Sequence, residues 1–544
     1  MTSLPFTPAD LGLPSKFGSW RKHQDGAIQR TLDSEKRFIA QNGPTGFGKS
    51  AVYVALSQLM GRTCVVTSTK GLQEQLVSDF GGMGMVDIRG RSNYPCHLSP
   101  GLTCEDGMHV KCQYQSGEDP LCPRRAQHKK AEESPLVVTN YACWIADHMY
   151  GSGLGKFDLL VLDEAHDAPS AVCDAMSTHF TTEEVYGHLG SQFPADMASI
   201  EEWHRWAREL LPKAEREVEE LNEYIKDCGG MATRRDIKRL VELKALAGKL
   251  ETIATSVGQW VAEASMKGGY TLDPVWPAEH AESLLFLGIP KVLLVSASAI
   301  PKTLQLMGIS ESDYEFQDYP AVFPASRNPF IYVPTVAVDH RTFATTNGRS
   351  NGNIDLWLMR IDQLIGDRLD RKGIVHTVSY NRKNLILERS EWAEYMVSHT
   401  SLDTGDQIRR FRAERPPSVL LSPSVDTGYD FPFDQAEYQI ICKVPYPDTR
   451  SRVMTARCNS KTGDPLYAPY LTAQRLVQSC GRDMRAVDDR GENIIIDDKI
   501  RGFLAAYRGL LPKWFLALYK RSDGLPEPPP KLETHNNLTG SRNP

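Results

Sequence analysis

The sequence predicts an α/β fold of two blocks, each a parallel sheet wrapped by helices, with inserted segments interrupting the first block. Three observations carry that prediction. Short apolar runs of strand length alternate with stretches of helical length, first over residues 37–162 and again beyond about 330. A glycine-rich loop stands between one such run and one such helix near the N-terminus. A chain of 544 residues is also too long for a single core, so two or more domains are required.

In the first block Arg37-Phe38-Ile39-Ala40 is a strand candidate, and Ala51-Val52-Tyr53-Val54-Ala55-Leu56 can open a helix. Thr63-Cys64-Val65-Val66-Thr67 is a second strand. Gly71 to Phe80 reads as a helix with Leu72, Leu76 and Phe80 on one face. Residues 92–128 are irregular. Strand pattern returns at Pro135-Leu136-Val137-Val138-Thr139 and at Leu159-Leu160-Val161-Leu162.

From about 172 to 270 the character changes. Ile200, Trp203, Ala207, Leu210, Ala214, Val218, Leu221 and Ile225 recur at three- and four-residue steps, one apolar stripe on a long helix, with Pro212 a kink or break. Gly229-Gly230 makes a turn, and a second stripe follows through Ile237, Leu240, Leu243, Leu250 and Val257. Periodicity alone reads this as an ordinary helical hairpin; its place in the chain reads it as an inserted arm. Lys291 to Ser298 is a buried strand ending in small hydroxyl residues. The second block carries strand candidates at Gly373–Thr377, Ser418–Ser422, Tyr438–Cys442 and Asn493–Ile496. The tail from Ser522, with Pro526, Pro528, Pro529 and Pro530 before polar residues, is predicted to be disordered.

Two motifs carry the chemistry. Gly43-Pro44-Thr45-Gly46-Phe47-Gly48-Lys49-Ser50 fits G-x-x-x-x-G-K-[ST], a loop that wraps nucleotide phosphates in backbone N–H groups. Average residue frequencies predict roughly 0.02 chance matches in a chain this long. The glycines Gly43, Gly46 and Gly48, with Thr45, let the backbone approach the phosphates. Lys49 would reach the β- and γ-phosphates, and Ser50 would ligate Mg²⁺. The second motif, Asp163-Glu164-Ala165-His166, follows an apolar run and so sits at a strand end. Asp163 would hold the same Mg²⁺, and Glu164 would orient and deprotonate the attacking water. Together they imply hydrolysis of a nucleoside triphosphate. Only the first block has such a loop. The second has Gln478-Ser479-Cys480-Gly481-Arg482-Asp483-Met484-Arg485, where Arg482 and Arg485 share a helix face and suit charge stabilisation in phosphoryl transfer.

The net charge of −6 does not advertise nucleic-acid binding, and a groove needs only local positive charge. No basic leader with an apolar stretch opens the chain, and no apolar run reaches membrane-spanning length. A cytosolic setting is expected, where disulfides are rare. Of 11 cysteines, Cys96, Cys104, Cys112 and Cys122 fall in one short segment, spaced C-x7-C-x7-C-x9-C. Thiolates on an irregular loop suit an iron–sulfur cluster or tetrahedral zinc, with His97, His109 and His128 nearby as alternative ligands. The spacing lacks a tight knuckle and decides between neither metal nor none.

In order along residues 16–515, the chain resembles superfamily 2 helicases of the XPD/DinG type, the iron–sulfur 5′→3′ DNA helicases. Arg21-Lys22-His23-Gln24 resembles the adenine-sensing Q motif, and Gly43–Ser50 is similar to motif I. Thr67-Ser68-Thr69 with Leu72 and Gln75 resembles motif Ia. Gly90-Arg91-Ser92-Asn93-Tyr94-Pro95-Cys96 is similar to the start of the family's cluster domain. Cys122-Pro123, then Val137-Val138-Thr139-Asn140-Tyr141, resembles its end. Asp163–His166 corresponds to motif II, Ser296-Ala297-Ser298 to III, and Val378-Ser379-Tyr380 to IV. Thr427-Gly428-Tyr429-Asp430-Phe431 corresponds to motif V and Gln478–Arg485 to VI. Ser298 replaces the usual Thr of motif III, and Thr427 stands where the family usually has Glu. Compact members of this kind resemble those carried by bacteriophages.

The resemblance implies two RecA-like P-loop motor domains. Motor domain 1, which binds ATP, is expected over 1–91, 129–171 and 271–330, and motor domain 2 over 331–520. An iron–sulfur domain is expected over 92–128, a helical arch over 172–270 and a tail over 521–544. It implies a [4Fe–4S] cluster on Cys96, Cys104, Cys112 and Cys122. Gln24 would read adenine, Gln478 and Asp430 would add nucleotide contacts, and Arg482 and Arg485 would meet the γ-phosphate. Single-stranded DNA, within forked or tailed substrates, is the implied partner, and the cytoplasm, or a host's, the implied location, with the nucleus left open. Trp20 stacks near the adenine or is core. Two rivals remain: an RNA-directed DEAH-type ATPase, and a nucleotide-gated DNA-binding scaffold that barely unwinds.

Overall fold

The computed structural model describes residues 4–98, 101–108, 112, 121–228, 233–266, 268–339, 342–343, 352–423, 431, 433–459, 461–480 and 490–530. Two seven-stranded parallel sheets organise it. The first is built from β1 (Phe38–Asn42), β2 (Thr63–Thr67), β3 (Met85–Asp87), β4 (Leu136–Asn140) and β5 (Leu159–Asp163), completed much later in the chain. A small antiparallel sheet intervenes, β6 (Thr178–Phe180), β7 (Trp260–Ala264) and β8 (Tyr270–Pro274), in the order 6-8-7. Then β9 (Lys291–Ser296) and β10 (Tyr314–Asp318) return to the first sheet, whose order is 10-1-9-5-2-4-3.

The second sheet takes β11 (Phe330–Val336), β12 (Lys372–His376), β13 (Met396–Ser398), β14 (Ser418–Ser422), β15 (Tyr438–Ile441), β16 (Glu492–Asp497) and β17 (Tyr519–Arg521). Its order is 13-14-12-15-16-11-17. Both sheets are covered on both faces, so their central strands are apolar throughout rather than alternating. In β2, Cys64 and Val66 enter one core while Val65 enters the other. In β11, Ile331 and Val333 pack on one face and Phe330 and Tyr332 on the opposite one.

The helices of the first domain follow from the same logic. α1 (Gln24–Asp33) precedes β1, and α2 (Lys49–Met60) follows the glycine-rich loop and is buried along Ala51 to Ser57. α3 (Lys70–Phe80) is capped by Thr69, whose side chain accepts from Leu72 N. Between β3 and β4 lie the cysteine segment with α4 (Cys104–Met108), and α5 (Pro123–Glu133). α6 (Tyr141–Tyr150) is capped by Asn140, and α7 (Ala168–Met176) leaves the end of β5.

The helical stretch between β5 and β9 contains α8 (Thr182–Leu189), α9 (Ile200–Asp227) and α10 (Arg234–Thr255). It has its own core, with Trp203, Trp206, Leu243, Leu246 and Leu250 against Phe180 and Trp260 of the small sheet. Of the kink or break expected at Pro212, the break does not occur: α9 runs through it. Pro212 lies on the exposed face, and the carbonyl it deprives belongs to exposed Arg208, so water replaces the lost hydrogen bond. The second domain docks on this small sheet. Arg457 Nε donates to Val275 O at 2.6 Å, and Arg452 Nη1 donates to Ala262 O at 2.8 Å.

The predicted disorder of the tail is corrected over residues 522–530. Arg368 Nη2 donates to Pro526 O at 2.9 Å and Arg371 Nη1 to Pro529 O at 2.8 Å, which fixes the proline-rich segment on the second domain. Residues 531–544 lie outside the described residues. Among the described residues no helix is long and apolar enough to cross a membrane.

Candidate active site

Sheet order brings three motifs side by side. β9 lies between β1 and β5, so the loop after β9 is flanked by the glycine-rich loop and by Asp163. All three open at the carboxyl ends of parallel strands, where ligands of such sheets bind. Gly43 N donates to Ser296 O at 3.1 Å, tying the loop to β9.

Gly46 and Gly48 have φ of 80° and 76°, in the left-handed region that glycine adopts freely. Lys49 starts α2 and its Nζ lies 3.5 Å from Gly43 O, folded over the loop. Gln24 is buried, and its amide is committed to the same loop. Nε2 donates to Phe47 O at 2.8 Å and Gly48 O at 3.1 Å, while Oε1 accepts from Arg21 N at 2.8 Å. Arg21 Nη1 adds a bond to Gly46 O at 2.8 Å. Trp20 is partly buried against the first-domain core, and its Nε1 donates to Phe6 O at 2.7 Å.

Asp163 ends β5, with Thr67 Oγ1 donating to its Oδ2 at 3.4 Å and Tyr141 OH to its carbonyl at 3.1 Å. Burial first, and then the Glu164 carboxylate, raise the Asp163 carboxyl to about 7 against the opposing pull of Lys49. A buried carboxylate pressed by a second one, beside the hydroxyl-bearing start of α2, is the oxygen donor chemistry that a hard divalent cation satisfies. Glu164 has φ of 51°, a left-handed conformation rare for a side chain of this size.

A chain of polar contacts leaves Glu164. Its Oε2 lies 3.3 Å from His166 Nδ1, which also meets Ser296 Oγ at 2.9 Å. Ser296 Oγ lies 3.3 Å from Ser298 Oγ, and Gln478 Nε2 donates to Ser298 Oγ at 3.0 Å. Gln474, one turn earlier, donates to Ser298 O at 2.7 Å. The helix that carries both glutamines spans Tyr467–Ser479 in the second domain. Arg482, Arg485 and Asp430 lie outside the described residues.

Sequence reasoning missed three contributors. Gln474 carries no motif; its signal was the four-residue spacing to Gln478 on one helix face. Phe323, in the segment joining the two domains, lies so close to Gly46 that a Cβ there would meet its ring at 2.0 Å. Tyr319 of the same segment stacks on Phe47 with centroids 5.0 Å apart. The signal available was an aromatic pair flanking a short apolar linker.

The cysteines face one another without forming a finished site. Pro95 and Thr103 form an antiparallel bridge, with Cys104 N donating to Tyr94 O at 2.7 Å and Cys96 N to Leu102 O at 2.9 Å. A Cβ on Gly107, one turn beyond Cys104, would meet Cys96 Sγ at 2.3 Å. The Cys104 thiol is raised by burial, then by the neighbouring Cys122 and Cys112 thiols. This all-thiol set, on an irregular loop, fits a cysteine-ligated cluster in donor chemistry. Among the described residues, no three His, Cys, Asp or Glu side chains are already gathered as metal ligands.

The helicase C-terminal domain family matches residues 371–517, and the family of the type III restriction enzyme res subunit matches residues 17–186. No curated protein matches the chain in sequence. An XPD helicase structure superimposes with a TM-score of 0.59 at 15% identity, over 92% of this chain and 99% of that one. An apo XPD structure gives 0.55 at 14% identity, over 92% and 100%. Xpd4 of S. tokodaii gives 0.55 at 12% identity, again over 92% and 100%. Two parallel-sheet motor domains with a phosphate loop in the first define an ATP-driven motor. Residues 371–517 carry a helicase C-terminal domain, and the chain as a whole has the fold of the XPD helicase structures. It is an ATP-driven enzyme that acts on nucleic acid.

Proposed function

We propose that the chain is a DNA helicase that moves 5′→3′ along a single strand and separates forked or tailed duplexes. The observation that carries this reading is the group of Cys96, Cys104, Cys112 and Cys122 between the phosphate loop and Asp163, inside an XPD-like fold. These four residues would hold a [4Fe–4S] cluster, whose contribution when bound is to brace the small domain beside the nucleic-acid path. Lys49 and Ser50 would hold the phosphates and Mg²⁺ of ATP, Asp163 the same ion, and Glu164 the attacking water. Arg482 and Arg485 would meet the γ-phosphate as the two domains close. Gln24 holds the phosphate loop in shape and would read adenine. The helical stretch between β5 and β9 would form an arch over the strand.

Anaerobic purification, iron and sulfide analysis and an unwinding assay test this reading together. A brown protein with matching iron and sulfide that opens 5′-tailed DNA is the expected result. ATPase stimulation by RNA but not DNA, in a colourless or zinc-bearing protein, would overturn it in favour of an RNA-directed motor. ATP-dependent DNA binding without strand separation would make the chain a scaffold.

A further inference from the structure

Between α6 and α7, at the carboxyl end of β2, the first domain holds a cavity of about 400 Å³. Its walls are mixed. Tyr141, Met149 and Tyr150 of α6 form an apolar side, faced by Ala171 of α7. Ser68, Asp167 and Asp174 supply polar groups. Ala146 lines the opening, and its small side chain leaves the space open. Tyr150 is 69% exposed, a large ring left bare at the rim.

Two neighbours say what such a cavity would receive. Ser68 on its edge precedes Thr69, which caps α3, and α3 opens with exposed Lys70. A helix start with a lysine favours a phosphate there, which would leave the attached base beside the cavity. On the far side, Asp167 Oδ1 lies 3.4 Å from His166 Nε2, and His166 Nδ1 lies 3.3 Å from Glu164 Oε2. Whatever fills the cavity therefore touches a residue one contact from the histidine that meets the hydrolytic glutamate.

We propose that this cavity takes one nucleobase of the bound single strand and favours bases with an exocyclic amino group. Aromatic rings accept the face of any base. Carboxylates accept from an amino group such as cytosine N4, and thymine has none. The strand is thereby sensed next to the hydrolytic centre. This proposal rests on the reading above of an ATPase driven by a nucleic-acid strand.

The test uses the full chain with labelled oligo(dC) and oligo(dT) of equal length, reading binding anisotropy and ATPase stimulation. Oligo(dC) should bind and stimulate at severalfold lower concentration. Tyr150→Ala should weaken oligo(dC) binding by about fivefold, the lower end of base–aromatic stacking losses, and Tyr150→Phe should restore it. Ala146→Trp, which fills the opening, should erase the difference between the two oligomers, and an unchanged Tm would certify its fold. Equal response of the natural chain to both oligomers would overturn the proposal and leave the helicase reading standing. So would a preference that survives both Tyr150→Ala and Ala146→Trp. No stimulation by any oligonucleotide, with ATP still bound, would overturn the underlying reading and the cavity's role with it.

Discussion

Gln478 Nε2 donates to Ser298 Oγ at 3.0 Å, so a helix of the second domain holds the loop that follows β9 in the first. Ser298 passes through Ser296 and His166 to Glu164. Domain position and the Glu164 carboxylate are therefore joined by a chain of hydrogen-bonding side chains. Gln478→Leu and Ser298→Ala each remove a link. One hydrogen bond contributes about 1 kcal/mol, so kcat for ATP should fall about fivefold to tenfold, with KM changed less than about twofold. A raised KM at unchanged kcat would assign Gln478 to nucleotide binding instead.

Lys49 and Glu164 stand at opposite sides of the same cleft and should separate binding from hydrolysis. Lys49→Ala would remove the proposed phosphate contact, and Glu164→Gln would keep shape while losing the proposed base. Loss of a general base typically costs about 10²- to 10⁴-fold. Both variants should lose unwinding and keep their affinity for a nucleic-acid strand. Strand affinity that collapses along with ATPase, with a lowered Tm, would instead mean misfolding.

The first motifs were legible because each is contiguous and sits where a buried strand ends. Leu159 to Leu162 is an unbroken apolar run, which a sheet covered on both faces demands, and it ends on Asp163. The small sheet was not legible. Trp260–Ala264 and Tyr270–Pro274 are short and follow two long helical stripes, and the pairing of Tyr270–Pro274 with Thr178–Phe180 spans some ninety residues of chain. Proline-rich composition at 522–530 reads as disorder, since composition alone does not place two arginines 158 residues upstream on its carbonyls. In the site, Phe323 went unseen because its meaning lies in where the linker passes, over Gly46, and not in any spacing.

Arg368 makes a second long-range anchor. It is fully buried with Glu492 at the start of β16, pairing through Nε at 2.5 Å and Nη2 at 3.1 Å, and also binds Pro526 O. Removing one partner leaves an uncompensated buried charge, a loss of about 3–5 kcal/mol. Arg368→Ala should lower the denaturant midpoint markedly and expose the segment near Pro526 to proteolysis. Arg368→Met with Glu492→Leu should recover much of the stability and leave the segment protease-sensitive. Retained protection in the double variant would show that the segment is held without Arg368.

Asp147 predicts how the brace behind the cysteines responds to acid. It projects from α6 between Arg124 and His128 of α5, the helix that follows Cys122, at 2.7 Å and 3.1 Å. Burial alone would raise its carboxyl; the His128 hydrogen bond and the Arg124 charge outweigh burial and hold it below the ordinary range. A depressed carboxyl adds stability that is complete above its unfolded value, about 3.9, and is lost as pH falls through the lower folded value. The loss should therefore begin below about pH 4 and not in the neutral range. Asp147→Asn should lower stability at neutral pH and flatten its decline below about pH 4, followed by urea unfolding across the acid range. An equally steep decline in Asp147→Asn would place the acid sensitivity on other carboxylates. Because α6 also carries Tyr141, bonded to the Asp163 carbonyl, the same variant should slow ATP hydrolysis only if loosening α5 moves α6 as a whole.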